Sequence, residues 1–242
     1  MVQKGGAGHA TPEVSGGGLQ IAGGPSDSAF TVDTGTGDVK QMRSSFYDDM
    51  MGTMDTRWAA RVSTGTVADL GDVGNGWFRF TTGAVNTNEE SMDWNDLCYF
   101  QNTLRPSFEI HLDPDSVAEV RIEAGLIEDS GGGVDDYVMI RLDTAVDGLW
   151  YLAADNGTGE ATDAGAAAAA APTGLKFEFT ADDAVEWFIS DDGGETWVLQ
   201  GSVTTKIPTA MLQPYILVLT RVAAGAAKIL DVDYVKIQQD RV

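Results

Sequence analysis

The stretch Phe108–Asp143, FEIHLDPDSVAEVRIEAGLIEDSGGGVDDYVMIRLD, decides the fold. Phe108, Ile110 and Leu112 alternate with Glu109, His111 and Asp113. Val120, Ile122 and Ala124 alternate with Glu119, Arg121 and Glu123, and Val138, Ile140 and Leu142 with Met139, Arg141 and Asp143. Successive side chains of a strand point to opposite faces, so each set predicts a half-buried strand with one apolar side. DPDS at 113–116 and EDSGGGVDD at 128–136 are rich in residues that turn a chain, and neither has room for a crossover helix. Antiparallel pairing follows.

The same reading works outward from there. Further strands are expected at 76–82, 97–101, 149–153, 175–180, 185–189, 197–201, 215–221 and 228–238, with a turn in NGTGEATDAG at 156–165. No long window has a helical period. The alanine run 166–171 lies between Gly165 and Pro172 and reads as loop, and only a short helical turn is expected at Pro208–Leu212. The expected architecture is therefore all-β: a two-sheet antiparallel jelly-roll sandwich over residues 46–242. Residues 1–45 differ, with GGAG, SGGG and AGG and no sustained apolar period, and read as an extended Gly-rich N-terminal arm that gains order on a partner.

Composition narrows the function. Apolar residues make up 43% of the 242, enough for a core, while 37 acidic against 15 basic residues give a formal net charge of -22. Such a surface repels phosphate backbones and anionic bilayers, so neither nucleic acid nor membrane is an expected partner. MVQKGGAGHA lacks the apolar core of a secretory signal, and Arg221 and Lys228 interrupt the apolar C-terminal stretch. Synthesis in a cytoplasm is expected, without a membrane span. The single cysteine, Cys98, excludes an internal disulfide, and beside Leu97 and Tyr99 it reads as a structural thiol on a buried strand.

FISDDGGETW, residues 188–197, matches the S-x-D-x-G-x-T-W pattern of the Asp-box found in sialidase propellers. Propellers repeat it and this chain has it once, so it reads as one well-made hairpin turn. Asp192 accepts backbone N–H bonds inside the turn and the two glycines permit positive φ.

The order of elements from residue 46 resembles the concanavalin A-like lectin/glucanase jelly roll, especially versions in bacteriophage virion proteins. FYDDMMGTMDTRWAARVSTGT resembles the opening of such domains, EVRIEAGLIED with DDYVMIRLD their paired central strands, LKFEFTADDAVEWFISDDGGETWVLQGS a strand and hairpin over one sheet, and IPTAMLQPYILV with ILDVDYVKIQQ the closing pair. Glucan-cleaving members of that family carry E-x-D-x-x-E on one strand. Glu109–Asp113 and Glu119–Glu123 align carboxylates on a face but lack that spacing, and Arg121 reads as a cross-strand charge partner, so no enzyme is expected.

His9 and His111 are too few for a histidine metal site, and His111 reads as an exposed strand residue. Calcium has candidate ligands in Asp129, Asp135 and Asp136, with further acidic turns at Asp113/Asp115 and Asp191/Asp192. These are read as solvated turn caps and no cofactor is expected. Of the six tryptophans, Trp150 and Trp187 read as core, while Trp94, in SMDWND, is the candidate exposed ring for a glycan contact. The resemblance implies a non-enzymatic protein of the virion surface. The first expectation is a capsid decoration or cement protein, trimeric, anchored to the major capsid protein or other virion subunits through residues 1–45. The alternative is a lectin-like tail or fibre module that binds host glycan through its concave sheet and the loops around Trp94 and Glu128–Asp136.

Overall fold

The computed structural model describes residues 19–21, 30–32, 43–49, 55–69, 76–128, 136–181, 184–221 and 226–240. In chain order the strands are β1 (Leu19–Ile21), β2 (Phe30–Val32), β3 (Arg43–Asp48), β4 (Ala59–Ser63), β5 (Thr66–Asp69), β6 (Phe78–Thr81), β7 (Glu89–Asp93), β8 (Ser107–Pro114) and β9 (Val120–Ile127). They continue as β10 (Asp136–Asp143), β11 (Leu149–Asn156), β12 (Glu160–Ala167), β13 (Thr173–Ala181), β14 (Ala184–Ser190), β15 (Val198–Val203), β16 (Gln213–Thr220) and β17 (Ile229–Asp240). Two antiparallel sheets form the jelly-roll sandwich. The front sheet has seven strands in the order β12-β11-β10-β9-β16-β7-β4, and the back sheet eight in the order β15-β14-β13-β8-β17-β6-β5, with β3 also on β17. Among the described residues no helix is long and apolar enough to cross a membrane.

The alternation in the sequence becomes rows across the sheets. Leu152, Ile140, Ala124, Ile216 and Met92 stand opposite one another in register across the front sheet. Ile189, Leu175, Ile110 and Val235 do so across the back sheet. Both rows belong to one buried apolar cluster, in which each large side chain contributes about 1.5–3 kcal/mol of transfer free energy. Trp150 and Trp187 are in it, as the sequence predicts.

The FISDDGGETW turn is the single hairpin expected, joining β14 to β15. Ser190 Oγ is 2.7 Å from Asp192 Oδ1, the Thr196 N–H donates to Asp192 at 2.8 Å and the Gly194 N–H to Ser190 Oγ at 2.9 Å. Gly193 and Gly194 take φ of 73° and 91°.

Four expectations change. Residues 97–101 form no strand: Phe100 makes one bridge to Leu212, Leu97 and Tyr99 are exposed, and Cys98 is half-buried. Residues 208–212 form no helical turn; the 3-10 turn is at Asn102–Leu104. The presumed turn and alanine loop contain strand β12, whose small residues pair with β11 at the sheet's edge, where neighbour pairing outweighs weak intrinsic preference. Gly165 fits there because a Cβ would stand 2.7 Å from the Trp187 ring. Within the expected arm, β1 and β2 pair antiparallel with Leu19 opposite Val32, and β3 already belongs to the back sheet. The rest of the arm, and the partner contacts expected of it, lie outside the described residues.

Candidate binding cleft

Strands β9 and β10 were expected to be half-buried, yet they, like β16, are buried on both faces. Their outward side chains make a second apolar cluster: Ile127 of β9, Tyr137 and Met139 of β10, Tyr151 and Ala153 of β11, and Tyr215, Leu217 and Leu219 of β16. Gly125 faces both Met139 and Tyr215 in register, and a Cβ there would meet the Val138 carbonyl oxygen at 2.3 Å, so only glycine lets β9 and β10 lie this close.

Charged side chains surround this cluster. Arg141 Nε donates to Glu123 Oε1 at 2.5 Å and its NH1 to Glu160 Oε2 at 2.6 Å, while Arg121 Nε donates to the same Glu123 oxygen at 2.8 Å. The Tyr137 hydroxyl also donates to Glu160. The Arg141 guanidinium lies 5.5 Å from the Tyr137 ring centroid and 5.8 Å from that of Tyr151. Arg61 of β4 pairs with Asp93 of β7 at 3.3 Å. Burial raises the hydroxyl pKa of Tyr137, Tyr151 and Tyr215, so these groups are neutral hydrogen-bonding groups at ordinary pH. Burial also lifts the Glu89 carboxyl above the usual range, with Arg121 opposing it.

A cavity of about 390 Å³ opens between Arg61, Glu89, Arg121, Glu123, Tyr215 and Leu219. A second, of about 260 Å³, lies on the far side of Arg121 and Arg141, against Tyr151, Glu160 and Thr162. Together they form a polar-walled cleft over a floor of tyrosine and leucine. Guanidinium and carboxylate groups held rigidly by one another suit vicinal hydroxyls, and a half-apolar floor suits the C–H face of a sugar ring.

The residues singled out from the sequence fall elsewhere. Trp94 is not an exposed ring: it is 1% exposed, packed on Phe46 at 4.7 Å and Phe100 at 5.7 Å, with the Arg57 guanidinium 4.5 Å from its ring. Trp94 lies in line with the inward-facing Met92, so it continues into the core and cannot stack on a pyranose. Asp129 and Asp135 lie outside the described residues; Asp136 begins β10 and is half-buried. Among the described residues no group of three His, Cys, Asp or Glu side chains is arranged to hold a metal ion. His111 is buried, not exposed, with Nδ1 3.0 Å from Asp233 Oδ2. The cleft itself had one visible sign. Tyr215–Leu219, YILVL, is apolar at both parities, as a strand covered on both faces must be.

No protein-family model matches the sequence, and no curated protein matches it. Solved structures do match. A Bacillus licheniformis β-glucanase superposes with a TM-score of 0.57 at 13% identity, over 81% of this chain and 98% of that one. The CBM2 module of the evolved Dit protein of Lactobacillus casei BL23 phage J-1 gives 0.57 at 12% identity, over 84% and 99%. The exoplasmic/lumenal domain of VIP36, in a Ca²⁺/Man3GlcNAc-bound form, gives 0.52 at 14%, over 77% and 84%. The likeness establishes the concanavalin A-like jelly roll, a fold that serves both glucanases and lectins.

Proposed function

We propose that this chain is a glycan-binding module and that the cleft on the outer face of the front sheet is its site. The observation that carries the reading is the Glu123–Arg121–Arg141–Glu160 lattice beside Tyr137, Tyr151 and Tyr215, fixed polar groups around a partly apolar floor. The likenesses to the Man3GlcNAc-bound VIP36 domain and to the phage CBM2 module support it. Binding without cleavage is the form we favour. Glu123, in the wall of the cleft, accepts from two arginines, and these contacts engage the carboxylate that an acid or nucleophile would need free. A phage tail or fibre is the setting we favour, supported by the phage Dit module; capsid decoration through residues 1–45 ranks below it.

The test is a glycan array followed by calorimetry on the best hit, with Arg61→Ala and Glu89→Gln beside the parent. Each variant should weaken binding about tenfold, or about 1.4 kcal/mol, without a change in melting temperature beyond a few degrees. Undiminished affinity in both variants would place the sugar elsewhere, and turnover of the bound sugar would refute the non-enzymatic reading.

A further inference from the structure

The outer face of the back sheet carries a second constellation, which shares no residue with the cleft. His111 on β8 stands directly opposite Tyr234 on β17, with ring centroids 5.9 Å apart. Trp77, just before β6, lies 5.4 Å from His111, and Tyr47 on β3 lies 5.8 Å from Tyr234. On the other flank Gly174 faces His111 in register, and its missing side chain leaves room for a fifth ring: a Cβ there would stand 3.0 Å from Trp197. The Asp-box hairpin thus folds Trp197 back onto the sheet. Tyr47 is 40% exposed, and Trp77, Tyr234 and Trp197 are half-buried.

Carboxylates surround these rings. Glu109 accepts from the Tyr234 hydroxyl at 2.8 Å, and Asp233 lies 3.0 Å from His111. Burial, and after it the negative charges of Asp49, Asp233, Glu109 and Asp48, hold the Tyr47 hydroxyl pKa above its ordinary value. The nearby cations are engaged: Lys236 with Glu109 at 3.2 Å, Arg79 with Asp231 at 2.7 Å and Lys176 with Glu178 at 3.0 Å.

We infer that this face binds a chain of protonated amino-sugar units. Aromatic faces attract both the C–H face of a pyranose and a nearby cation, and the field of the carboxylates selects positive charge. A polyanionic glycan is repelled, a neutral one gains nothing from the negative charge of the face, and a lysine side chain offers charge without a flat apolar ring.

Calorimetry on the full chain with glucosamine hexamer, N-acetylglucosamine hexamer and hexalysine tests this. The glucosamine hexamer should bind, and the N-acetylated one about tenfold more weakly. Trp77→Ala and Tyr47→Ala should each weaken binding about three- to fivefold, Tyr47→Phe should retain it, and Asp233→Asn should lower it while narrowing the gap between the two hexamers. Arg61→Ala, in the cleft, should change nothing, so failure here and failure of the cleft reading are distinguishable. The inference is overturned by absence of binding, by equal affinity for the N-acetylated hexamer, or by loss of binding in Arg61→Ala but not in the aromatic variants. Equal binding of hexalysine with the same dependence on Trp77 and Tyr47 overturns it too, and makes the face a protein-docking surface.

Discussion

On the front sheet, Glu123 is 3% exposed between two arginines; on the back sheet, Glu109 shares its carboxylate between a tyrosine and a lysine whose side chain is 36% exposed. Both project from the outer face of a central strand and both began in the sequence as the polar half of an alternation. They part because of their neighbours. Around Glu123 the outward positions of β10 and β16 are Tyr, Met and Leu, which lower the local dielectric and make the ion pairs obligatory. Around Glu109 they are Lys176, Lys236 and the partly exposed Tyr234, which leave water in reach. An outer face becomes a second core or a wet surface according to the side chains of the neighbouring strands.

The sharpest way to break this contrast is to remove one charge from each face. Glu123→Gln takes a charge partner from buried Arg141 and half-buried Arg121 and should cost about 3–5 kcal/mol in urea unfolding, whereas Glu109→Gln should cost about 1 kcal/mol or less. Equal losses would mean that the faces do not differ in burial as described. The glycines give a smaller version of the same experiment. Gly125→Ala puts a methyl against the backbone of β10 and should cost about 1–3 kcal/mol. Gly174→Ala meets only Ser190 and the edge of Trp197, which has water to move into, so it should cost less than about 1 kcal/mol and red-shift tryptophan emission.

The smallest effects are pH-dependent and opposite in sign. Glu89, in the cleft, has its folded pKa raised by burial, so its contribution to stability is complete below its ordinary value of 4.5 and is lost as pH rises through the folded value. Glu89→Gln should flatten that loss in melting curves taken upward from pH 4.5. Asp192, in the back-sheet hairpin, is lowered to about 2 by its hydrogen bonds to Ser190 and Thr196. Its contribution is present above its ordinary value of 3.8 and lost as pH falls through about 2, so Asp192→Asn should destabilise at neutral pH and hardly at all in strong acid.

The sandwich was legible because apolar and polar residues alternate in the sequence of β8, β9 and β10, and the Asp-box hairpin because its side chains act within a few residues of one another. The edge strands β4, β5 and β12 were missed, since small and polar residues become strands there by pairing with a neighbour, which local sequence does not encode. The cleft was half legible. Arg121 is a charge partner of Glu123 along its own strand and not across strands as expected, and YILVL carried the mark of a doubly covered strand. Arg141 and Glu160, however, meet only once β12 is folded against β11. Trp94 misled because its acidic neighbours look solvent-facing, while strand parity points the ring inward.

The order of the strands also bears on how the chain is made. In the front sheet β16 is inserted between β9 and β7, and in the back sheet β17 separates β8 from β6 and holds β3 as well. The two strands that join the halves of both sheets are thus the last of the described strands to leave the ribosome. Until they arrive, β8 and β9 each wait with an open edge, and the nascent chain holds separate groups of strands with no shared core. A chain cut before Ile229 should therefore be aggregation-prone rather than partly folded, and the finished molecule should reach its native state slowly and in one late cooperative step.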